Sequence, residues 1–408
     1  MRLLPEGATE GAALLLRTRG ARAFMDGLIA VVLPTYLIAI GFSSAEVGAV
    51  VASTLLGSAA LTLALGFGAH LFTRRRLLQL AAVTMVFTGL GFAFVTTFWA
   101  LLPIAVIGTL NPSSGDVSIF LPTEQALLPS TVPDRQRTAL YARYNLIAYV
   151  LAAIGSLFAG VPDAVGTHFD IDQRWALGSV FLVYAGVGAL LMVWYRHLPG
   201  DLAEGAQGRA TPLRESRAIV YRLAAVFTLD AFGGGFVVQS MLVLWLHVRF
   251  DLSVAVTGAI FFWAGLLAGA SALVAARIAA RIGLIRTMVF THLPANGLLI
   301  ATALMPNAPL AVACLLARAA LSQMDVPARQ SYTMAVVTPG ERAAAASVTS
   351  VPRSLASALP PLAAGWMLER STFGWPLLIG GVLKAVYDLL LLWQFHDIRP
   401  PEEIVAAV

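Results

Sequence analysis

Eleven ionisable residues sit inside stretches of sequence that are otherwise apolar, and their chemistry needs an explanation. The acids are Asp26, Asp116, Glu124, Asp230, Asp325 and Asp388; the bases are Arg143, Arg318, Arg329, Arg353 and Lys384. A charge in mid-span costs about 2.5–3.5 kcal/mol even on a lenient insertion scale, so each needs a partner or water. Helical rise converts distance from a hairpin turn into depth. Counted from the turn near Pro133, Glu124 and Arg143 both come out roughly 14 Å deep, and they are expected to pair across two helices. Counted from Pro339 and Gly340, Asp325 and Arg353 both lie roughly 20 Å in, past the middle of the bilayer. Arg329 adds another base nearby. A desolvated ion pair adds little net stability, so its retention points to a task, with a static interhelical cross-link as the alternative. Lys384 and Asp388, at i and i+4, are expected to neutralise each other along one helix.

Asp26 and Asp230 each fall about a turn into an apolar stretch. With Asp325 they are the candidate proton carriers, because a carboxyl group held out of water can be tuned to exchange a proton in the working range. The plain alternative for the first two is an acid placed near a helix N-terminus, where the dipole favours it. The run Asn111-Pro112-Ser113-Ser114-Gly115-Asp116 weakens a helix at midplane depth. Such a break is tolerated only against protein or a water-filled cavity, so Asn111, Ser114 and Asp116 are candidate cavity residues, with Arg353 and Tyr149.

The elements that must hold these residues are membrane helices. Of 408 residues, 58% are hydrophobic and 12% charged, with a mean hydropathy of +0.80, which excludes a soluble enzyme with one anchor. Apolar runs of 20 residues or more, rich in Ala, Leu and Gly, exclude the alternating pattern of a β-barrel. The single cysteine, Cys314, excludes an internal disulfide and a multi-cysteine metal site, and no cofactor is indicated. The net charge of +5 is better spent on orientation than on nucleic acid.

Reading apolar runs against breakers gives twelve expected spans, near 22–41, 45–69, 76–97, 100–129, 138–162, 174–196, 218–246, 254–277, 285–305, 308–337, 343–367 and 374–395. Nineteen arginines then fall in predicted cytoplasmic segments, against only Arg174, Arg249 and Arg370 in predicted outer loops. That bias places both termini in the cytoplasm. The polar stretch 199–217 reads as a cytoplasmic linker between residues 1–198 and 218–408. The two halves repeat at an offset of about 205. Pro122-Thr-Glu124-Gln125 aligns with Pro327-Ala-Arg329-Gln330, Arg137-Thr-Ala139 with Arg342-Ala-Ala344, and Gly160 with Gly365. The fold class is an all-α membrane protein of twelve transmembrane helices in two pseudo-repeated six-helix bundles.

This arrangement resembles the major facilitator superfamily over nearly the whole chain. Where that family carries Gly-x-x-x-Asp-Arg-x-Gly-Arg-Arg, this chain has Gly66-Phe-Gly-Ala-His70-Leu-Phe-Thr73-Arg74-Arg75, and the related loop of the second half has Arg281-Ile-Gly283. The resemblance implies a cytoplasmic gate at Gly66, His70, Arg74, Arg75, Arg281 and Gly283, with the usual acid replaced; the arginines alternatively cap helix C-termini or meet lipid phosphates. Gly155-Ser156-Leu-Phe-Ala159-Gly160 keeps the small residues of the family's exporter motif without its proline. The stretch Ser322-Gln-Met-Asp325-Val-Pro-Ala-Arg329-Gln-Ser-Tyr332 looks like the arabinose efflux permease-like members. The resemblance also implies that an acid in the first span, here Asp26, can be the titrating group.

The expected function is a secondary transporter of the cytoplasmic membrane, a monomer in the lipid bilayer that exports a small organic molecule in exchange for protons. Uptake of a sugar or organic anion is the alternative, and a non-transporting sensor on the same scaffold is another. No phosphate-cradling Gly-x-x-x-x-Gly-Lys-Ser/Thr loop, zinc motif or nucleophile elbow occurs in the sequence, so an ATP-driven pump or membrane enzyme is not expected.

Overall fold

A chain this apolar has to satisfy its backbone groups internally, and helices do so. The computed structural model describes Leu4 and residues 7–68, 72–113, 120–133, 136–199 and 213–398, and there is no β-strand among the described residues. The first half runs α1 (Glu10–Ala39), α2 (Ser44–Gly68), α3 (Arg74–Phe94), α4 (Phe98–Ile107), α5 (Phe120–Leu127), α6 (Arg137–Leu157), α7 (Val161–Phe169) and α8 (Gln173–Arg196). The second runs α9 (Arg217–Gly235), α10 (Gln239–Phe250), α11 (Val254–Ile282), α12 (Leu284–Leu304), α13 (Ala308–Ala319), α14 (Asp325–Ala335), α15 (Arg342–Ala358), α16 (Pro360–Arg370) and α17 (Trp375–Phe395).

Among the described residues, nine helical stretches are long and apolar enough to cross a membrane, against twelve expected spans. The other three expected spans are divided. In the one at 100–129, α4 ends at Ile107 and the described residues 108–113 are not helical; the one at 308–337 stops at Ala319 and resumes at Asp325. The one at 343–367 splits at Pro360, whose ring removes a backbone donor. These segments hold Asn111, Pro112, Ser322, Gln323, Arg353 and paired prolines, which weaken helix and lower hydropathy together.

Two compact units emerge. Unit 1 comprises Met1–Gln207, Gln239–His247 and Asp251–Phe262; unit 2 comprises Gly208–Val238, Val248–Phe250 and Trp263–Val408. Within unit 1, α1 packs on α6 and α3 on α8; within unit 2, the counterparts α9 and α15 pack together, as do α12 and α17. The starts of α5 and α14 are 205 residues apart, and so are those of α6 and α15. Close approach of α1 and α6 depends on two glycines. A Cβ on Gly27 would run into the Ala152 backbone, and one on Gly155 into the backbone of Phe24. Ser156 Oγ donates to Gly27 O at 3.1 Å across the same seam. Unit 2 is centred on Phe227, Met288, Tyr332, Tyr387 and Phe395, all fully buried.

Outside the apolar stretches, Glu341 ties the hairpin between α14 and α15 to the start of α9. Its carboxylate accepts the backbone N–H groups of Arg214 at 2.6 Å, Glu215 at 3.0 Å and Ser216 at 2.9 Å. Backbone hydrogen bonds of this kind, led by that of Ser216, hold the carboxyl at about 2 instead of the ordinary 4.5. The stabilisation is therefore present above pH 4.5 and lost as pH falls through about 2. Glu341→Gln is expected to lower the thermal unfolding midpoint at neutral pH, with the gap to the parent protein closing across that acid window. A gap of constant size at every pH would remove the carboxylate from the account.

Candidate functional site

In unit 1, α1 begins at Glu10 and runs through the apolar stretch Ala12–Leu16, the polar Arg17–Gly20 and on to Ala39, with Pro34 inside the helix. This places Arg19 and Arg22, expected in a cytoplasmic segment, inside the bundle at 5% and 3% exposure. It also puts Asp26 sixteen residues into the helix, too far in for the N-terminal dipole to account for it. Arg22 forms an ion pair with Glu124, which is fully buried. The same carboxylate accepts Thr18 Oγ1 at 2.8 Å and the hydroxyls of Tyr144 and Tyr195 at 2.6 Å each. The Arg22 guanidinium lies 4.5 Å above the Phe120 ring. Four donors thus surround one buried acid, which is how a carboxylate is kept out of water without orphan lone pairs.

The expected pairing of Glu124 with Arg143 is not formed. Depth arithmetic fixes height and ignores rotation: successive residues on a helix point about 100° apart, and α6 turns Tyr144 toward Glu124. Arg143 keeps a buried Nη1 with no hydrogen-bond partner. Asn111, 1% exposed, donates from Nδ2 to Asp26 Oδ2 at 3.5 Å and accepts Ser113 Oγ at 2.7 Å. Pro112 O in turn accepts Ser240 Oγ at 2.9 Å. Tyr149 is half-buried on α6.

In unit 2, Asp230 is the hub. Lys384 Nζ donates to its Oδ1 at 2.5 Å, and Arg329 Nη1 donates to its Oδ2 at 3.2 Å and to Asp325 Oδ2 at 3.1 Å. Two expectations need correction. Asp325 is bridged by Arg329, one turn along its own helix, and Arg353 forms no salt bridge with it. Lys384 does not neutralise Asp388. Its stem passes Gly233, where a Cβ would stand 2.9 Å from Lys384 Cγ, and its ammonium reaches Asp230 on α9. Asp388, wholly buried, instead meets His292 Nδ1 at 2.9 Å and Asn296 Nδ2 at 2.8 Å. His292, Asn296 and Arg22 escaped sequence reasoning; the signal was a His and an Asn four apart in an apolar run, and an Arg four before Asp26. The repeat inverts its charges. Glu124 and Arg329 are 205 apart, and each is held by an opposite charge from the first helix of its own half.

At the expected gate, Gly66 lies in α2, and Arg74 and Arg75 open α3 behind Thr73, whose Oγ1 accepts from Arg76 N at 3.4 Å. They therefore stand at a helix N-terminus and cap no C-terminus. Arg281 does occupy the last turn of α11, and Gly283, with φ 86°, makes the left-handed link to α12. His70, Ser114 and Asp116 lie outside the described residues.

Comparison with known proteins decides the family: the sequence profile of the Major Facilitator Superfamily matches residues 19–322. The chain belongs to the major facilitator superfamily. It is accordingly a multi-pass membrane transporter of small molecules and not an enzyme. An uncharacterized membrane protein of Saccharomyces cerevisiae is 25% identical over 92% of this chain and 91% of its own length. A D-xylose transporter of Levilactobacillus brevis is 30% identical over 36% of this chain and 29% of its own. Among solved structures, a D-xylose-proton symporter superposes with a TM-score of 0.72 at 13% identity, covering 94% of this chain and 97% of the other. At that identity the likeness is one of superfamily fold.

Proposed function

We propose that this protein is a proton-coupled secondary transporter that exports a small organic molecule across the cytoplasmic membrane. The observation that carries this reading is Asp230, a buried carboxylate shared by a lysine and an arginine. A protonation change near such a hub alters which cation it holds, and that is a means of coupling a proton to a conformational equilibrium. Asp26, deep in α1 beside Asn111, is the corresponding candidate in the first half, and Asp325 is the third. Access alternates between halves 1–198 and 218–408, joined by the 199–217 linker. The arginine bias supports two cytoplasmic termini, and a monomer suffices. Gly155 and Gly160 keep the small residues of the superfamily's exporter motif, which supports export as the direction.

A second reading, proton-driven uptake of a sugar, is favoured by the D-xylose transporter that shares 30% identity over part of the chain. An organic anion would suit Arg143 and Arg353, which keep buried nitrogens free of hydrogen bonds.

The test is a compound panel that includes D-xylose, run in proteoliposomes with imposed pH gradients of either sign. One electrogenic proton supplies about 2.3 kcal/mol per 100 mV, enough for a measurable concentration ratio. Gradient-driven movement of a compound out of the compartment matching the cytoplasm supports export, and the reverse polarity supports uptake. Transport indifferent to the pH gradient would overturn proton coupling. Asp26→Asn is expected to abolish gradient-driven movement while leaving gradient-free exchange of the same compound.

A further inference from the structure

We propose that His292 and Asp388 form a shared-proton pair, the loading site for the coupling proton in unit 2. The inference rests on the proton-coupling reading above, and on geometry that the expected site residues did not include. Asp388 is wholly buried in α17, and the lysine one turn before it has been drawn away to Asp230. Its ionisable partner is therefore an imidazole, His292 of α12, with Nδ1 at 2.9 Å from Oδ1. The other carboxylate oxygen accepts Asn296 Nδ2 at 2.8 Å; the amide nitrogen is also 3.1 Å from His292 Nδ1 but, as a donor, gives its hydrogen to the carboxylate when Nδ1 carries its own. A carboxylate in a lipid-buried bundle needs compensation, and an imidazole supplies it only when protonated.

The opposite ring nitrogen gives the pair something to act on. His292 Nε2 lies 3.9 Å from Asp230 Oδ1, the oxygen that holds Lys384. Unloaded, the ring donates Nδ1–H to Asp388 and leaves Nε2 bare. Loading places a proton on Nε2, completes an imidazolium and turns a new donor toward Asp230. That donor competes with Lys384 for one carboxylate oxygen, so a proton gained at one pair loosens the bridge between α9 and α17. No covalent bond other than N–H forms or breaks, and the proton comes from water.

The surrounding charges are consistent with this assignment. α17 contributes Asp388, Lys384 and Tyr387, the last with its ring edge-on to His292 at 5.7 Å. α9 contributes Asp230, and α14 contributes Arg329 and Asp325. Arg318 of α13 and Arg353 of α15 act on Asp230 electrostatically. Among the described residues, Asp388, the acid nearest the ring, has no lysine or arginine at salt-bridge distance, so the proton has a place to stay.

The experiment is a pH titration of the full-length protein in lipid nanodiscs, with 15N-labelled histidine observed by NMR. His292 is assigned as the one of six resonances lost in His292→Gln, or by elimination through the other five histidines should that variant not fold. The expected result is a pH-dependent His292 resonance whose transition moves to lower pH by about one unit or more in Asp388→Asn, as deleting a contacting opposite charge requires. Lys384→Met is expected to leave the pair in place. A His292 resonance that keeps one tautomer at every pH where the protein stays folded overturns the proposal; so does an unmoved transition in a folded Asp388→Asn. If Asp388→Asn does not fold, the parent titration decides alone. Failure here with pH-driven transport intact removes this site only, whereas a titrating His292 in a protein indifferent to pH gradients removes the coupling role instead.

Discussion

Glu124→Gln should destabilise the protein by about 3–5 kcal/mol, because it leaves the Arg22 guanidinium buried without a counter-charge. The loss would be read as a lowered unfolding midpoint in detergent. Glutamine keeps the shape of the site, so little of the effect comes from a cavity. Tyr144 and Tyr195 make the consequence larger, since both hydroxyls donate to the same carboxylate and each would have to find a weaker acceptor. The decisive comparison is the double variant Glu124→Gln with Arg22→Leu. Removing both charges takes away the desolvation cost with the attraction, so the double variant is expected to be more stable than Glu124→Gln alone. Simple addition of the two losses would show that the residues act independently and that the pair is not what holds α1 to α5.

Asp230→Asn has the second large effect, and it should be felt in both stability and transport. The change strips Lys384 of its carboxylate and halves the acidic support of Arg329. A loss of about 3–5 kcal/mol follows from leaving a buried cation uncompensated, and gradient-driven transport is expected to vanish. Asp325→Asn should be milder, because Arg329 would still hold Asp230. Lys384→Met placed on top of Asp230→Asn should recover much of the stability without recovering coupling. If Asp325→Asn proves as damaging as Asp230→Asn, the hub is Arg329 and not the carboxylate.

The contrast between these two clusters and their sequence-level expectations shows what a linear reading can reach. Hydropathy was enough for an all-helical membrane protein, since 20-residue apolar runs have few other folds open to them. Glu124 and Asp325 are buried, as charges in apolar stretches need to be. Azimuth was not legible. Residues 143 and 144 share a depth to within about 1.5 Å, yet tyrosine faces the acid and arginine does not. Lys384 was misassigned for a related reason. An i, i+4 rule compares a pair with nothing else, whereas the lysine had a second acid across a glycine gap in α9. Arg22 was lost earlier still, because a helix start placed at 22 instead of Glu10 turns a buried partner into a loop cation.

The self-contained pairing of each half bears on how the chain is made. Arg22, Glu124, Tyr144 and Tyr195 all precede residue 199, so the first cluster can close while the ribosome is still reading the linker. The later half has no such head start. Asp230 enters the translocon 154 residues ahead of the lysine that satisfies it, and nascent chains ending anywhere short of Lys384 carry that acid without its ammonium. Biogenesis is thereby split between an early charge cluster that can close alone and a late one that is incomplete until α17 has emerged.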